Sequence, residues 1–111
     1  MKEVKEIDIG EFGRLDIRVG KVASVNRVPN SRKLLELIVD LGGERKRCVA
    51  GLAGSYEPEE LLGKSVVVLA NIKPRKIFGI ESQVMLLAAV SGEEISLLQP
   101  DKPVPPGSRV S

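Results

Sequence analysis

The chain has 111 residues and a mass of 12.0 kDa, a size that holds one hydrophobic core and leaves no room for a second self-standing one. With 42% hydrophobic and 29% charged residues it can pack that core, it has no apolar stretch long enough to cross a bilayer, and its net charge of only +2 means that any nucleic-acid footprint must come from clustered cations. It contains no histidine, so the commonest general base and the commonest metal ligand are missing, and no catalytic residue, metal or cofactor is expected.

The opening, Met1-Lys2-Glu3-Val4-Lys5-Glu6, alternates charge and lacks the apolar run of a secretory signal, which points to a soluble cytoplasmic protein. Residues 1–10 read as an N-terminal segment and 11–111 as the single domain. Asp8-Ile9-Gly10-Glu11-Phe12-Gly13 predicts one helical turn, with Asp8 as N-cap, Glu11 in the capping-box position and Gly13 at the end. Apolar and polar residues alternate over 15–19 and the phase blurs after Gly20, which predicts a first strand with a bulge at that glycine, bending from one sheet into another.

After a turn at Pro29-Asn30-Ser31, Leu35, Leu37, Val39 and Leu41 share one face of a second strand, with Glu36 and Asp40 on the other. Gly42-Gly43 then turns the chain into Arg45-Lys46-Arg47-Cys48-Val49-Ala50, a third strand in which Cys48 reads as a buried, inert thiol. Glu57-Pro58-Glu59-Glu60-Leu61-Leu62-Gly63 has Pro and acids at its start and Gly at its close, and predicts a short helix between strands three and four. The unbroken apolar run 66–70 predicts a fourth strand buried on both faces, by the core and by a partner subunit, and 84–90 repeats that pattern as a fifth. A last strand over 95–98 precedes a Pro-rich extended segment, 99–107, expected to pack along the body or across a dimer contact.

Five strands with a helix between the third and fourth give an all-β chain with the order of an OB-fold barrel, plus a C-terminal extension. Pattern alone also admits a β-barrel of another topology. Gly63-Lys64-Ser65 is no phosphate-cradling loop, because Pro58 stands where the leading Gly is required and the helix precedes instead of following. Asp16, Glu36, Asp40 and Glu44 follow strand alternation and turn chemistry, as a solvated sheet face does.

The basic residues carry the functional reading. Arg27, Arg32 and Lys33 lie near the first turn, Arg45, Lys46 and Arg47 on the second hairpin, and Lys73, Arg75 and Lys76 between the fourth and fifth strands. In an OB-fold the first and last of these loops flank the ligand face, so two clusters converge on one site. With only Phe12, Tyr56 and Phe78 as aromatics, base stacking cannot dominate. Phosphate and sugar contacts to a folded RNA fit better, with Asn71, Ser82 and Gln83 as hydrogen-bonding partners and Met85 as a flexible apolar contact.

Several ordered motifs sharpen this. Asp16-Ile17-Arg18-Val19-Gly20, Pro29-Asn30-Ser31-Arg32-Lys33-Leu34, Val49-Ala50-Gly51-Leu52, Leu62-Gly63-Lys64, Asn71-Ile72-Lys73-Pro74-Arg75-Lys76 and Gly79-Ile80-Glu81-Ser82-Gln83-Val84-Met85 together resemble the tRNA-binding domain found at the C-terminus of many methionyl-tRNA synthetases and as freestanding dimeric tRNA-binding proteins. Arg32 stands where that family usually has an acid and Val84 where it usually has Gly; Phe78 occupies a position often basic or flexible, so stacking there could replace a phosphate contact. The resemblance implies a non-catalytic, homodimeric binder that grasps the outer corner of tRNA, either freestanding or partnered with a separate methionyl-tRNA synthetase catalytic subunit. The CsaA-type secretion chaperones, which bind unfolded polypeptides, are the alternative; they share fold and dimer but depart from Ala50-Gly51-Leu52 and Asn71-Ile72-Lys73-Pro74. The implied RNA-binding set is Arg32, Lys33, Asn71, Lys73, Arg75, Lys76, Ser82, Gln83 and Met85.

Overall fold

The computed structural model describes residues 4–111. Helix α1 (Ile9–Phe12) is the predicted single turn: Asp8 is its N-cap, and the Asp8 N–H donates to Glu11 Oε1 at 3.2 Å. The helix crosses the boundary drawn at residue 10. Strands β1 (Ile17–Arg27), β2 (Leu35–Asp40) and β3 (Arg45–Ala50) follow, then helix α2 (Pro58–Leu61) and strand β4 (Ser65–Leu69). A small hairpin of β5 (Arg75–Ile77) and β6 (Ile80–Ser82) comes next, then β7 (Met85–Leu86), a second hairpin of β8 (Ala88–Ser91) and β9 (Glu94–Leu97), and a terminal β10 (Arg109–Val110).

β1 organises the barrel because it is shared. Its first half pairs antiparallel with β4, Ile17 to Lys21 against Leu69 to Ser65, and its second half with β2, Lys21 to Arg27 against Asp40 to Leu35. β3 continues the meander from β2, and β7 flanks β4, so the sheet runs β3-β2-β1-β4-β7. With α2 between β3 and β4 this is an OB-fold, as the element order predicts.

The bulge does not sit at Gly20. Register slips between Val22 and Ser24, at Ala23, and Gly20 is needed for a different reason: a Cβ there would collide with the Val39 side chain and press on Leu41 Cδ2 at 3.0 Å. The glycine leaves room on β1 for the side chains of Val39, on the neighbouring strand, and Leu41, just past its end.

The alternation of β2 holds fully, with Leu35, Leu37 and Val39 completely buried beside Leu41, Cys48, Leu61, Val66, Val68 and Val84. Removing side chains of this size from water contributes roughly 1.5–3 kcal/mol each. Val66, Val67 and Val68 are all buried within a single protomer, so β4 needs no partner subunit to cover its second face. The expected fifth strand over 84–90 is also not continuous. Leu87 N–H still bonds the Val67 carbonyl at 2.9 Å, but from Ala88 the chain leaves β4 to pair with β9, where Tyr56 Oη accepts the Leu97 N–H at 3.1 Å.

The C-terminal extension packs along the body. Gly107 N–H donates to the Val19 carbonyl at 2.7 Å, Val19 N–H to the Ser108 carbonyl at 2.8 Å, and β10 pairs Val110 and Arg109 with Ile17 and Arg18, taking up the edge of β1 that β2 leaves free. Gly42 and Gly107 permit this, since each has positive φ and a Cβ on either would strike a carbonyl of the other segment, Pro106 or Leu41. Among the described residues no helix is long and apolar enough to cross a membrane.

Candidate nucleic-acid interface

The barrel is closed between β3 and the chain just after β6, largely through side chains. Arg47 N–H donates to Gln83 Oε1 at 2.9 Å, Gln83 N–H to the Arg47 carbonyl at 2.8 Å, and Val49 N–H to Ser82 Oγ at 3.0 Å. The buried Ser82 hydroxyl also reaches the Val84 carbonyl at 3.3 Å. Ser82 and Gln83, two of the expected contact residues, thus spend most of their hydrogen-bonding capacity inside the protein.

The β5–β6 hairpin rises from this seam. Ile77 pairs with Ile80, leaving Phe78-Gly79 as a two-residue turn with φ of 54° and 79°, the mark of a type I′ turn. Arg75 and Lys76 on its leading arm are exposed, as is Lys73 in the segment just before it. Across the barrel mouth, the β1–β2 loop is held by Ser31, whose Oγ accepts from Leu34 N–H at 3.1 Å and Lys33 N–H at 3.4 Å, while Asn30 takes a left-handed φ of 67°. That loop is further tied by Ala53 N–H bonding the Lys33 carbonyl at 3.0 Å, and it presents Arg32 and Lys33 to solvent.

Between the two loops runs a groove of about 260 Å³ whose walls include Leu34, Gly51, Arg75, Ile77 and Met85, with Cys48 and Ser82 beneath. A second groove, about 440 Å³, adjoins it at Gly51 and takes in Lys33, Ser55, Val90 and Glu93. The fold therefore brings Arg75, Ser82 and Met85 to one groove and Lys33 to its neighbour. Asn71 and Lys73 fall elsewhere, in a depression with Arg14, Leu15 and Leu69. Asn71 is a clasp there: its Oδ1 accepts the Asp16 N–H at 2.9 Å and its Nδ2 donates to the Arg14 carbonyl at 2.7 Å, joining the start of β1 to the β4–β5 loop.

Charge compensation differs among the basic residues. Arg27 pairs with Glu57 at 3.0 Å, Lys46 with Glu44 at 3.9 Å, Arg18 with Asp16 at 2.8 Å, and Arg47 lies 2.9 Å from Glu36, close but without hydrogen-bond alignment. Among the described residues Arg32, Lys33, Lys73, Arg75 and Lys76 take part in no ion pair, so their fields project outward uncompensated. Cys48 is buried, and burial pushes its thiol pKa up, which keeps it protonated and unreactive.

Sequence reasoning did not find the apolar groove. The alternation of Arg75 and Ile77 on one face of a hairpin arm was the available signal, obscured because residues 71–83 read as a loop. The pairing of Arg47 was also legible, since Glu36 is diagonal to it across the β2–β3 ladder.

Residues 17–109 match the family described as "Putative tRNA binding domain". A methionine–tRNA ligase of Thermotoga maritima is 54% identical over 109 residues, 98% of this chain and 17% of that protein. One of Archaeoglobus fulgidus is 50% identical over 110 residues, 99% of this chain and likewise 17% of that protein. The chain spans less than a fifth of these curated relatives. Among solved structures, a MetRS related protein from Pyrococcus horikoshii superposes with a TM-score of 0.91 at 37% identity, covering 97% of this chain and 100% of that one. The chaperone CsaA of Bacillus anthracis gives a TM-score of 0.87 at 29% identity, covering 96% and 100%.

Proposed function

The chain belongs to the tRNA binding domain family, and from that premise we propose that it is a non-catalytic tRNA-binding protein of the cytoplasm that holds its RNA by phosphate and sugar contacts. The observation that carries this reading is the grouping of Arg32, Lys33, Arg75 and Lys76, none of them in an ion pair, on the two loops that flank the mouth of the barrel, with Lys73 unpaired just before the second of these, whereas Arg18, Arg27, Lys46 and Arg47 each lie against an acid. Such an arrangement suits the backbone of a folded RNA, whose shape is read through phosphates and 2′-hydroxyls. Met85, exposed at the groove edge, supplies an apolar contact; Ser82, Gln83 and Asn71 act one step back, fixing the seam and the loop from which the cations project.

Mobility shift with total tRNA across a salt series tests the reading. About three to five phosphate contacts give a log-log slope of roughly −2 to −4 on the single-strand counterion scale. Affinity that does not change with salt would overturn the mechanism. An excess of unfolded polypeptide serves as competitor, because the likeness to chaperone CsaA and the apolar groove support polypeptide binding as a second reading. Displacement of tRNA by that competitor would favour the chaperone.

The protein acts as an isologous homodimer in this reading. β4 is covered internally, so the support comes from other surfaces: Val4, Ile7 and Ile9 are 88%, 64% and 85% exposed, and no residue of α1 is buried. An apolar strip of this kind is shielded most simply by its copy across a two-fold axis. The likeness to methionine–tRNA ligases supports a separate synthetase catalytic subunit as a further partner in this reading.

A further inference from the structure

Phe78 is the most exposed aromatic residue of the chain and stands at the tip of the β5–β6 hairpin, 62% accessible, with a φ of 54°. A bulky L-residue is disfavoured in that left-handed conformation, where Asn or Gly sits readily. Gly79 already supplies the second positive φ of the turn, so Asn-Gly would form the same hairpin with less strain. The ring is outside the core, and the only cation over an aromatic ring among the described residues is Lys64 above Tyr56. An exposed ring kept in a strained turn, at the end of an arm that carries Arg75 and Lys76, suits a partner that is both anionic along its backbone and flat and apolar at its face. A nucleobase of an RNA strand is that partner.

We propose that Phe78 is a stacking platform for one unstacked nucleobase, adding a base contact to a surface that otherwise grips phosphate; this rests on the RNA-binding reading above. The cations of the leading arm hold the strand while the ring meets the base beyond them, in the manner by which aromatic rings and cationic grooves share single-stranded ligands. The contact is apolar and tolerant of base identity, since every base has a π-face. It therefore sets affinity without changing how many counterions binding releases.

The test compares the full chain with Phe78→Asn and Phe78→Trp, using total tRNA and, as a base-free polyanion, inorganic polyphosphate. Phe78→Asn is expected to raise the melting temperature by a few degrees, because it relieves the turn, yet to weaken tRNA binding by about five- to a hundredfold. Its salt slope and its affinity for polyphosphate should match the wild type. Phe78→Trp should bind as the wild type does, and because the chain has no other tryptophan, its fluorescence should be quenched on adding tRNA. Wild-type affinity of Phe78→Asn for tRNA, or an equal loss for tRNA and polyphosphate, would overturn the proposal while leaving the phosphate mechanism standing. Failure of the wild type itself to bind tRNA would instead remove the RNA-binding reading and this inference together.

Discussion

Ser82 Oγ takes the Val49 N–H at 3.0 Å and lies 3.3 Å from the Val84 carbonyl, so one buried hydroxyl joins β3 to the chain that follows the β5–β6 hairpin. Ser82→Ala leaves the Val49 donor without a partner in a buried seam, at a cost of about 1–3 kcal/mol. The expected result is a clear fall in melting temperature with tRNA affinity little changed in the protein that remains folded. Met85→Ala, at an exposed position of the groove edge, should show the converse, weaker RNA binding with a small thermal shift. Calorimetry and mobility shift on the two variants side by side decide it; matching profiles would dissolve the distinction between seam and surface.

Reversing Lys73, Arg75 and Lys76 together to Glu should weaken all tRNAs to a similar degree and flatten the salt slope by about 0.7 for each phosphate that is no longer neutralised. Arg27→Gln serves as control, because Arg27 is engaged with Glu57 on the side of α2. Binding isotherms for several purified tRNAs at a series of salt concentrations provide the measurement. A triple variant with the wild-type slope would move the phosphate site away from the hairpin.

Light scattering at micromolar concentration should report twice the 12.0 kDa chain mass. Ile9→Asp, which places a charge in the exposed apolar strip, should shift the mass toward one chain while the far-ultraviolet dichroism of the barrel is retained. A clean wild-type monomer that binds tRNA tightly would remove the dimer from the mechanism.

The Cys48 thiol is held protonated, with burial as the main cause and weaker opposing contributions from the Leu86 backbone, Ser82 and Arg75. Its folded pKa is thus raised above the unfolded value, so its contribution is fully present below that value and is lost as pH rises through the folded one. Stability should decline in alkali by up to about 1.4 kcal/mol per pH unit from this group, and Cys48→Ala should lack that component of the decline. Denaturant titrations of both proteins in mildly and strongly alkaline buffer measure it. Parallel pH profiles would show that the thiol ionises freely in the fold.

Elements set by local chemistry were legible in the sequence: the Asp8 cap, the strict alternation of β2, the Gly42-Gly43 hairpin and the Pro58 helix each appear where they were expected. What escaped depends on contacts between distant segments. The purpose of Gly20 lies in Val39 and Leu41, and the inward roles of Ser82, Gln83 and Asn71 lie in Val49, Arg47 and Asp16. A polar residue in a basic loop looks the same in one dimension whether its hydrogen bonds point to a ligand or to the neighbouring strand. The break after Leu87 was hidden for a similar reason, since an apolar run does not announce where it changes partner.

The seating of β10 beside β1 has a consequence for the order in which the protein can be made. Synthesis delivers Ile17 and Arg18 well before their neighbours Arg109 and Val110, so one flank of the first strand must wait until the strands between them have emerged. Pairings between such distant segments are slow to form, because a long loop must close before they reward it. A ribosome-bound intermediate with β1 to β4 in place would still carry an open strand edge. Completion of the barrel is thereby tied to a strand that is translated after all those it closes upon.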